Sequence, residues 1–259
     1  MKFRFSGKPA PGGKKTAPAP RTIQTYTLCD RGGKQINDDT VAVFRDKDNV
    51  RVFVGDGLGG YAGGKQASET VAGVLEAASS RGSMHTDAQL IQAAAESNRA
   101  VFRLQQKTEG KMKTTLVFLS LEKDTARWMH IGDSRLYIFK DGKRTFQTAD
   151  HSVSYMAVLM GEITLDQIRF HEDRNRVLRA LGGENAKPEL SAPMDISDGE
   201  YTFLMCTDGF WEYVKEEEME QTLSASATPE EWVRSMEKIL QGRVTGDNDN
   251  YTAAAVFCR

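Results

Sequence analysis

Three short apolar runs in this chain stop at an aspartate. Arg51-Val52-Phe53-Val54-Gly55 runs into Asp56, with Gly57-Leu58-Gly59-Gly60 behind it. Trp128-Met129-His130-Ile131-Gly132 runs into Asp133, and Phe203-Leu204-Met205-Cys206-Thr207 into Asp208. Two further acids stand just before apolar runs: Asp39, with Asp38 beside it, before Val41 to Phe44, and Asp249 before Tyr251 to Cys258. Runs of this length read as buried strands. A single Asp-Gly is most simply a turn, but five acidic strand ends in one chain point to shared chemistry. If the strands share a sheet edge, the carboxylates converge, and that much negative charge calls for a cation. Carboxylate and carbonyl oxygens are hard donors suited to Mg²⁺ or Mn²⁺.

The loop after Val54 has a competing reading. Gly55, Gly57 and Gly60 match the spacing G-x-G-x-x-G of a dinucleotide fold, with Glu76 near the ribose position. Asp56 argues against it, because its carboxylate would occupy the pyrophosphate position. Tyr61 to Gly64 also delay the helix that the fingerprint glycines should open directly.

The elements that must position these acids follow from pattern. Strands are expected at Ile23 to Leu28, Val41 to Phe44, Val50 to Val54, Thr115 to Leu121, Ala126 to Ile131, Leu136 to Phe139, Thr145 to Thr148, Glu189 to Met194, Tyr201 to Cys206 and Thr252 to Phe257. Asp46 to Asn49 and Lys140 to Lys143 read as hairpin turns. Helices are expected from Lys65 to Ala78, Ala88 to Gln106, Lys215 to Leu223 and Glu230 to Leu240, the last with Thr228 as cap and Pro229 at its first position. Residues 152–183 break the strand pattern, are charged and partly helical, and read as a lid-like insertion. His130 reads as a sheet histidine, and His151 as a residue that fixes the lid. Hairpin-linked strands with two helix pairs imply an α+β fold: an α-β-β-α sandwich of two mainly antiparallel sheets flanked by helix pairs.

Residues 1–22 form a tail with four of the chain's seven prolines and six basic residues, and no acid. It lacks the apolar surface to order itself. The remaining stretch, 23–259, reads as one domain. A net charge of −2 argues against a general nucleic-acid binder. No apolar run is long enough for a membrane span. Cys29, Cys206 and Cys258 have no metal or disulfide spacing, and Cys206 and Cys258 read as buried thiols. Cytoplasmic residence is the expectation.

Taken together and in order, Asn37-Asp38-Asp39, Asp56-Gly57-Leu58-Gly59-Gly60, Gly132-Asp133-Ser134-Arg135, Thr207-Asp208-Gly209 and Asp249-Asn250-Tyr251-Thr252 resemble the motifs of the metal-dependent protein serine/threonine phosphatases, the PPM family, in its bacterial branch. Ala149 to Ser152 and Arg174 to Gly182 resemble that branch's lid region. The resemblance covers Ile23 to the C-terminus. It implies a cluster of two or three Mg²⁺ or Mn²⁺ ions in a cleft between two sheets. By position, Asp56 would bridge two ions. The Gly57 carbonyl and Asp39 would serve one, Asp208 and Asp249 the other, and Asp133 with Asp208 a third. Three departures stand out. Lys34 occupies the place of the family's phosphate-gripping arginine, with Arg31 nearby as a substitute. Asp38 stands where a glutamate is usual, and Leu58 and Tyr61 where the family often has histidine. Lysine supplies charge but not the bidentate fork of arginine.

The implied reaction is hydrolysis of phosphoserine and phosphothreonine in proteins by a water bridging two divalent ions, with Lys34 or Arg31 holding the phosphate oxygens. Tyr61 is a weaker proton donor than a metal-associated water, because a phenol's pKa of ~10 is poorly matched to neutral pH. Phosphorylated proteins are the implied partners, with a bacterial Ser/Thr kinase as the opposing enzyme. Asp208-Gly209-Phe210-Trp211 resembles the version in phosphatases that regulate type VI secretion, although Trp211 reads equally as a core anchor. The departures leave two alternatives open: a non-catalytic phosphoprotein-binding relative, and a phosphatase for small molecules.

Overall fold

The computed structural model describes residues 21–46, 49–59, 63–82 and 84–259. Most of the N-terminal tail, the tip of the Asp46 to Asn49 turn, and Tyr61 lie outside the described residues. In chain order the elements begin with β1 (Ile23–Asp30), β2 (Thr40–Asp46), β3 (Asn49–Gly55), β4 (Gly57–Leu58), α1 (Gly63–Ser80) and α2 (Asp87–Thr108). They continue with β5 (Lys113–Thr114), β6 (Leu116–Glu122), β7 (Thr125–Ile131), β8 (Arg135–Lys140) and β9 (Lys143–Gln147). The insertion contributes α3 (Val153–Leu159) and a 3-10 turn (Leu165–Phe170). The last part comprises β10 (Glu189–Leu190), β11 (Met194–Asp195), β12 (Tyr201–Cys206), α4 (Asp208–Trp211), α5 (Glu216–Ser224), α6 (Pro229–Gln241) and β13 (Tyr251–Cys258).

Two antiparallel sheets stack face to face. One has the order β1-β13-β12-β8-β9, the other β10-β7-β6-β3-β2, with β11 also on β7. Alternation along each strand divides the core into three layers. Val52 and Val54 of β3 and Phe203 and Met205 of β12 meet between the sheets. Phe53 of β3 turns the other way and packs under α1 and α2 with Val71, Leu75 and Leu90. Leu204 and Cys206 of β12 likewise face α5 and α6, around Trp232 and Met236. The expected sandwich is what forms. Cys206 and Cys258 are buried, as expected, and Cys29 is exposed. No helix among the described residues is long and apolar enough to cross a membrane.

One expected element is corrected. Glu189 to Met194 is not a single strand but two short ones, β10 and β11, both antiparallel to β7. Between them, Ser191 takes over the pairing: its amide donates to the Trp128 carbonyl at 2.9 Å, and its hydroxyl accepts the Trp128 amide at 2.9 Å. Pro193 has no N–H with which to continue the ladder. At the N-terminal side, Thr22 exchanges backbone hydrogen bonds with Arg259.

Register explains where the acids go. Thr40, the start of β2, lies opposite Gly55, the end of β3. Leu116, the start of β6, lies opposite Ile131, the end of β7. Cys206, the end of β12, lies opposite Ala253, near the start of β13. Each acid therefore sits at the same end of the sandwich, where the two sheets open.

Candidate metal centre

A cavity of about 420 Å³ opens at that end. Asp56, Gly57, Asp208 and Asp249 line it, with Asp38, Lys34 and Asn250 around them. Asn175 and Val177 of the insertion form part of its wall. Asp39 and Asp133 stand behind this lining, 1% and 2% exposed.

Local chemistry holds each acid in place. The Asp56 amide donates to Thr115 Oγ1 at 2.8 Å, and its carbonyl accepts the Thr115 amide at 2.9 Å. This leaves the carboxylate free to project beyond β3. Gly57 passes so close to the Gly64 carbonyl that a Cβ would collide with backbone; this close approach requires glycine there. Gly132 has φ +106°, and a Cβ there would lie 2.6 Å from the Thr115 side chain. That conformation turns the chain at the end of β7 and delivers Asp133. The Asp133 carbonyl accepts the Trp211 indole N–H at 3.0 Å. Trp211 is therefore both a core anchor, as expected, and a brace for the site. Asp208 opens α4 and accepts the Gly209 amide at 2.7 Å, while Asp249 accepts the Asn250 amide at 2.9 Å.

Electrostatics shows what the cluster requires. Burial, then the charges of Asp208, Asp39, Asp133 and Asp249, push the Asp56 carboxyl well above the usual carboxylate range. Asp208 is raised in the same way by burial and by Asp133, Glu212, Asp249 and Asp39. Burial raises Asp39 to about 7 against hydroxyl hydrogen bonds that hold it down, and raises Asp133 to about 7 with Asp150 adding to the effect. Both carboxylate oxygens of Asp133 are buried without any hydrogen-bond donor. Carboxylates packed this closely are tolerable as anions only beside positive charge. The oxygen-only donor set fits Mg²⁺ or Mn²⁺. Among the acids, Asp56, Asp208, Asp249, Asp39 and Asp133, with the Gly57 carbonyl, are the groups placed to hold such ions.

The remaining candidates divide. Asp38 lines the cavity, but its Oδ1 accepts the Lys65 amide at 2.8 Å and so caps α1 from across the fold. Its own amide donates to Asn250 Oδ1 at 2.8 Å. Lys34 stands at the rim, half exposed, with Nζ 3.8 Å from Asp249 Oδ1. Arg31 is exposed and does not line the cavity; its carbonyl accepts the Asn250 side-chain amide at 2.8 Å. Tyr61 cannot be placed among the described residues.

Glu212 belongs to none of the sequence motifs, yet it stands beside the acids. It lies four residues after Asp208, its amide donates to the Asp208 carbonyl at 2.9 Å, and its charge bears on both Asp208 and Asp133. Burial raises its pKa, opposed by Arg174 of the insertion, whose Nε lies 3.1 Å from Oε1. The signal was the one-turn spacing from Asp208, which puts both on one helix face.

Comparison with known proteins places the chain in one family. The family model described as Protein phosphatase 2C matches residues 30–242. The serine/threonine phosphatase stp of Listeria monocytogenes is 32% identical over 240 residues, covering 88% of this chain and 92% of that protein. Among solved structures, the catalytic domain of the serine threonine protein phosphatase PstP in complex with 2 manganese ions superposes with a TM-score of 0.78 at 27% identity, covering 92% and 99% of the two chains. PppA, described as a key regulatory component of the type VI secretion system in Pseudomonas aeruginosa, superposes with a TM-score of 0.73 at 26% identity, covering 92% and 98%. With its sandwich fold, its converging acids and a match over most of its length, the chain belongs to the protein phosphatase 2C family of serine/threonine phosphatases.

Proposed function

We propose that the cavity hydrolyses phosphoserine and phosphothreonine in proteins with two or three Mg²⁺ or Mn²⁺ ions held by Asp56, the Gly57 carbonyl, Asp39, Asp208, Asp249 and Asp133. The observation that carries this reading is the Asp133 carboxylate, buried with no donor from another residue on either oxygen, beside the charges of Asp56, Asp208, Asp150 and Glu212. When bound, the ions supply an activated water and neutralise phosphoryl charge. Asp56, at the end of β3 between the other acids, is placed to contact more than one ion. Lys34 is the cation at the rim, and in our reading it leaves Asp249 to pair with incoming phosphate oxygens. Asn175 and Val177 narrow the cavity on the insertion side, where a phosphorylated loop would enter. The cavity is open rather than enclosed by apolar walls, which suits a protein segment more than a small metabolite.

The likeness to PppA and the Asp208-Gly209-Phe210-Trp211 segment support a place opposite a Ser/Thr kinase, with type VI secretion as the pathway to examine first. Three free cysteines are compatible with action in the cytoplasm.

The test is hydrolysis of an aryl phosphate and of phosphopeptides with Mn²⁺, with and without chelator. Turnover that requires the metal and is inhibited by phosphopeptides better than by phosphometabolites is the expected result. Binding of phosphopeptide without turnover would overturn it.

A further inference from the structure

Beside the Gly132–Asp133 turn, outside the carboxylate cavity, His130, His151 and Glu189 bring potential ligand atoms within 4.8 Å of one another. Their hydrogen bonds argue against a second metal site. His151 Nδ1 accepts the Gly132 amide at 3.1 Å, so it carries no proton. The ring proton is then on Nε2, which lies 3.1 Å from Glu189 Oε1 and donates to it. A cation on Nε2 would require an imidazole with no proton at all. His130 Nε2 is committed likewise, to the Ala149 carbonyl at 2.9 Å.

What His151 does instead is hold one glycine from both sides. Its ring accepts the Gly132 N–H, and its own amide donates to the Gly132 carbonyl at 2.8 Å. Gly132 is the positive-φ residue that delivers Asp133. The Asp133 carboxylate has no donor of its own, so the backbone of this turn must fix its place. On its other side, the His151 carbonyl accepts the Leu178 amide at 2.8 Å, and Ser152 bridges to Val177, which lines the cavity.

We infer that His151 is a positioning residue of the phosphatase site: by clamping Gly132 it sets where the Asp133 carboxylate stands, and it ties that turn to the insertion that walls the cavity. The inference rests on the reading of Asp133 as a metal ligand. Burial and the adjoining His130, stacked at 4.9 Å and 12°, lower the basicity of His151 and keep it in the neutral form that the Gly132 hydrogen bond needs.

Two substitutions separate the ring nitrogens. In His151→Asn the amide oxygen is bonded to Cγ, as Nδ1 is, and can still accept the Gly132 amide. In His151→Gln the terminal group reaches toward the Nε2 position, and the acceptor at Gly132 is lost. Mn²⁺ activation of the full chain would be measured for both, alongside direct Mn²⁺ titration by electron paramagnetic resonance. Loss of one buried hydrogen bond should raise the half-activating Mn²⁺ concentration about tenfold in His151→Gln, while His151→Asn stays within about threefold of the parent. Equal behaviour of the two variants overturns the inference. If His151→Gln does not fold, His151→Asn decides alone: a tenfold rise there overturns it. Asp133→Asn is the control. If it leaves Mn²⁺ activation as in the parent, the ligand reading itself fails; if it raises the requirement and the Asn/Gln contrast is absent, only the role of His151 fails.

Discussion

The Thr207 hydroxyl donates to Asp39 Oδ2 at 2.8 Å, joining residues 168 positions apart and one sheet to the other. The same hydroxyl accepts the Thr252 amide at 3.0 Å. Thr207 follows β12, Asp39 precedes β2, and Thr252 is the second residue of β13, so one side chain ties three of the strand ends that carry acids. The mouth of the sandwich is therefore held by polar contacts, while the apolar layer between the sheets holds the rest.

Thr207→Val should loosen that tie. The valine keeps the volume but leaves the buried Thr252 amide and an Asp39 oxygen without their partner, at a cost of about 1–3 kcal/mol. Chemical denaturation of the metal-free protein checks the stability loss. A Mn²⁺ titration should show weaker binding in the same variant.

The metal-free protein should respond to pH through its raised carboxyls. Burial lifts the Asp133 carboxyl from its ordinary 3.8 to about 7 in the folded chain. Its folded-state pKa is raised, so the folded protein holds a proton that the unfolded chain has lost between those limits. Stability therefore falls as pH rises from about 4 to about 7. Other groups titrate in the same range, and subtracting the curve of Asp133→Asn isolates this one. The variant's advantage should grow across that window by up to about 1.4 kcal/mol per pH unit and level off above it. Saturating Mn²⁺ should remove the advantage.

Asp208→Asn should abolish metal-dependent turnover while leaving the fold intact. The substitution replaces a carboxyl whose anionic form burial and the charges of Asp133, Glu212 and Asp249 already disfavour. The metal-free variant should therefore melt no lower than the parent, and Mn²⁺ should raise its melting temperature less. Full activity in Asp208→Asn would refute the ligand assignment.

Lys34 can be tested against the residue it replaces in the family pattern. Lys34→Ala should lower kcat/KM about tenfold or more, because a charge-assisted contact to phosphate contributes about 1.5–3 kcal/mol. Lys34→Arg should match or exceed the parent, since the guanidinium offers two parallel donors to phosphate. Steady-state kinetics with a phosphopeptide separates these outcomes.

Much of this was legible along the chain because the signals are local. An apolar run that stops at an Asp with a Gly beside it marks a strand end with an acid, and Asp56, Asp133 and Asp208 all announce themselves so. The continuous apolar run Val52, Phe53 and Val54 marks a strand buried on both faces, although which layer each side chain enters came only with the fold. Other features depended on partners far away in sequence. Ser191 splits β10 from β11 by bonding Trp128, 63 residues distant. Asp38, adjacent to Asp39, is diverted to cap α1 at Lys65.

From its residues alone, this chain determined that several acids end or precede strands in a two-sheet sandwich, since strand, turn and acid lie within a few positions of each other. Only the tertiary structure decided which oxygens are left without donors, that Lys34 rather than Arg31 reaches the rim, that Glu212 lies beside Asp208, and that the His151 ring accepts the amide of Gly132 next to Asp133. Those outcomes depend on strand register and on contacts between residues tens to hundreds of positions apart, and no local pattern encodes which of several possible partners a polar group will meet.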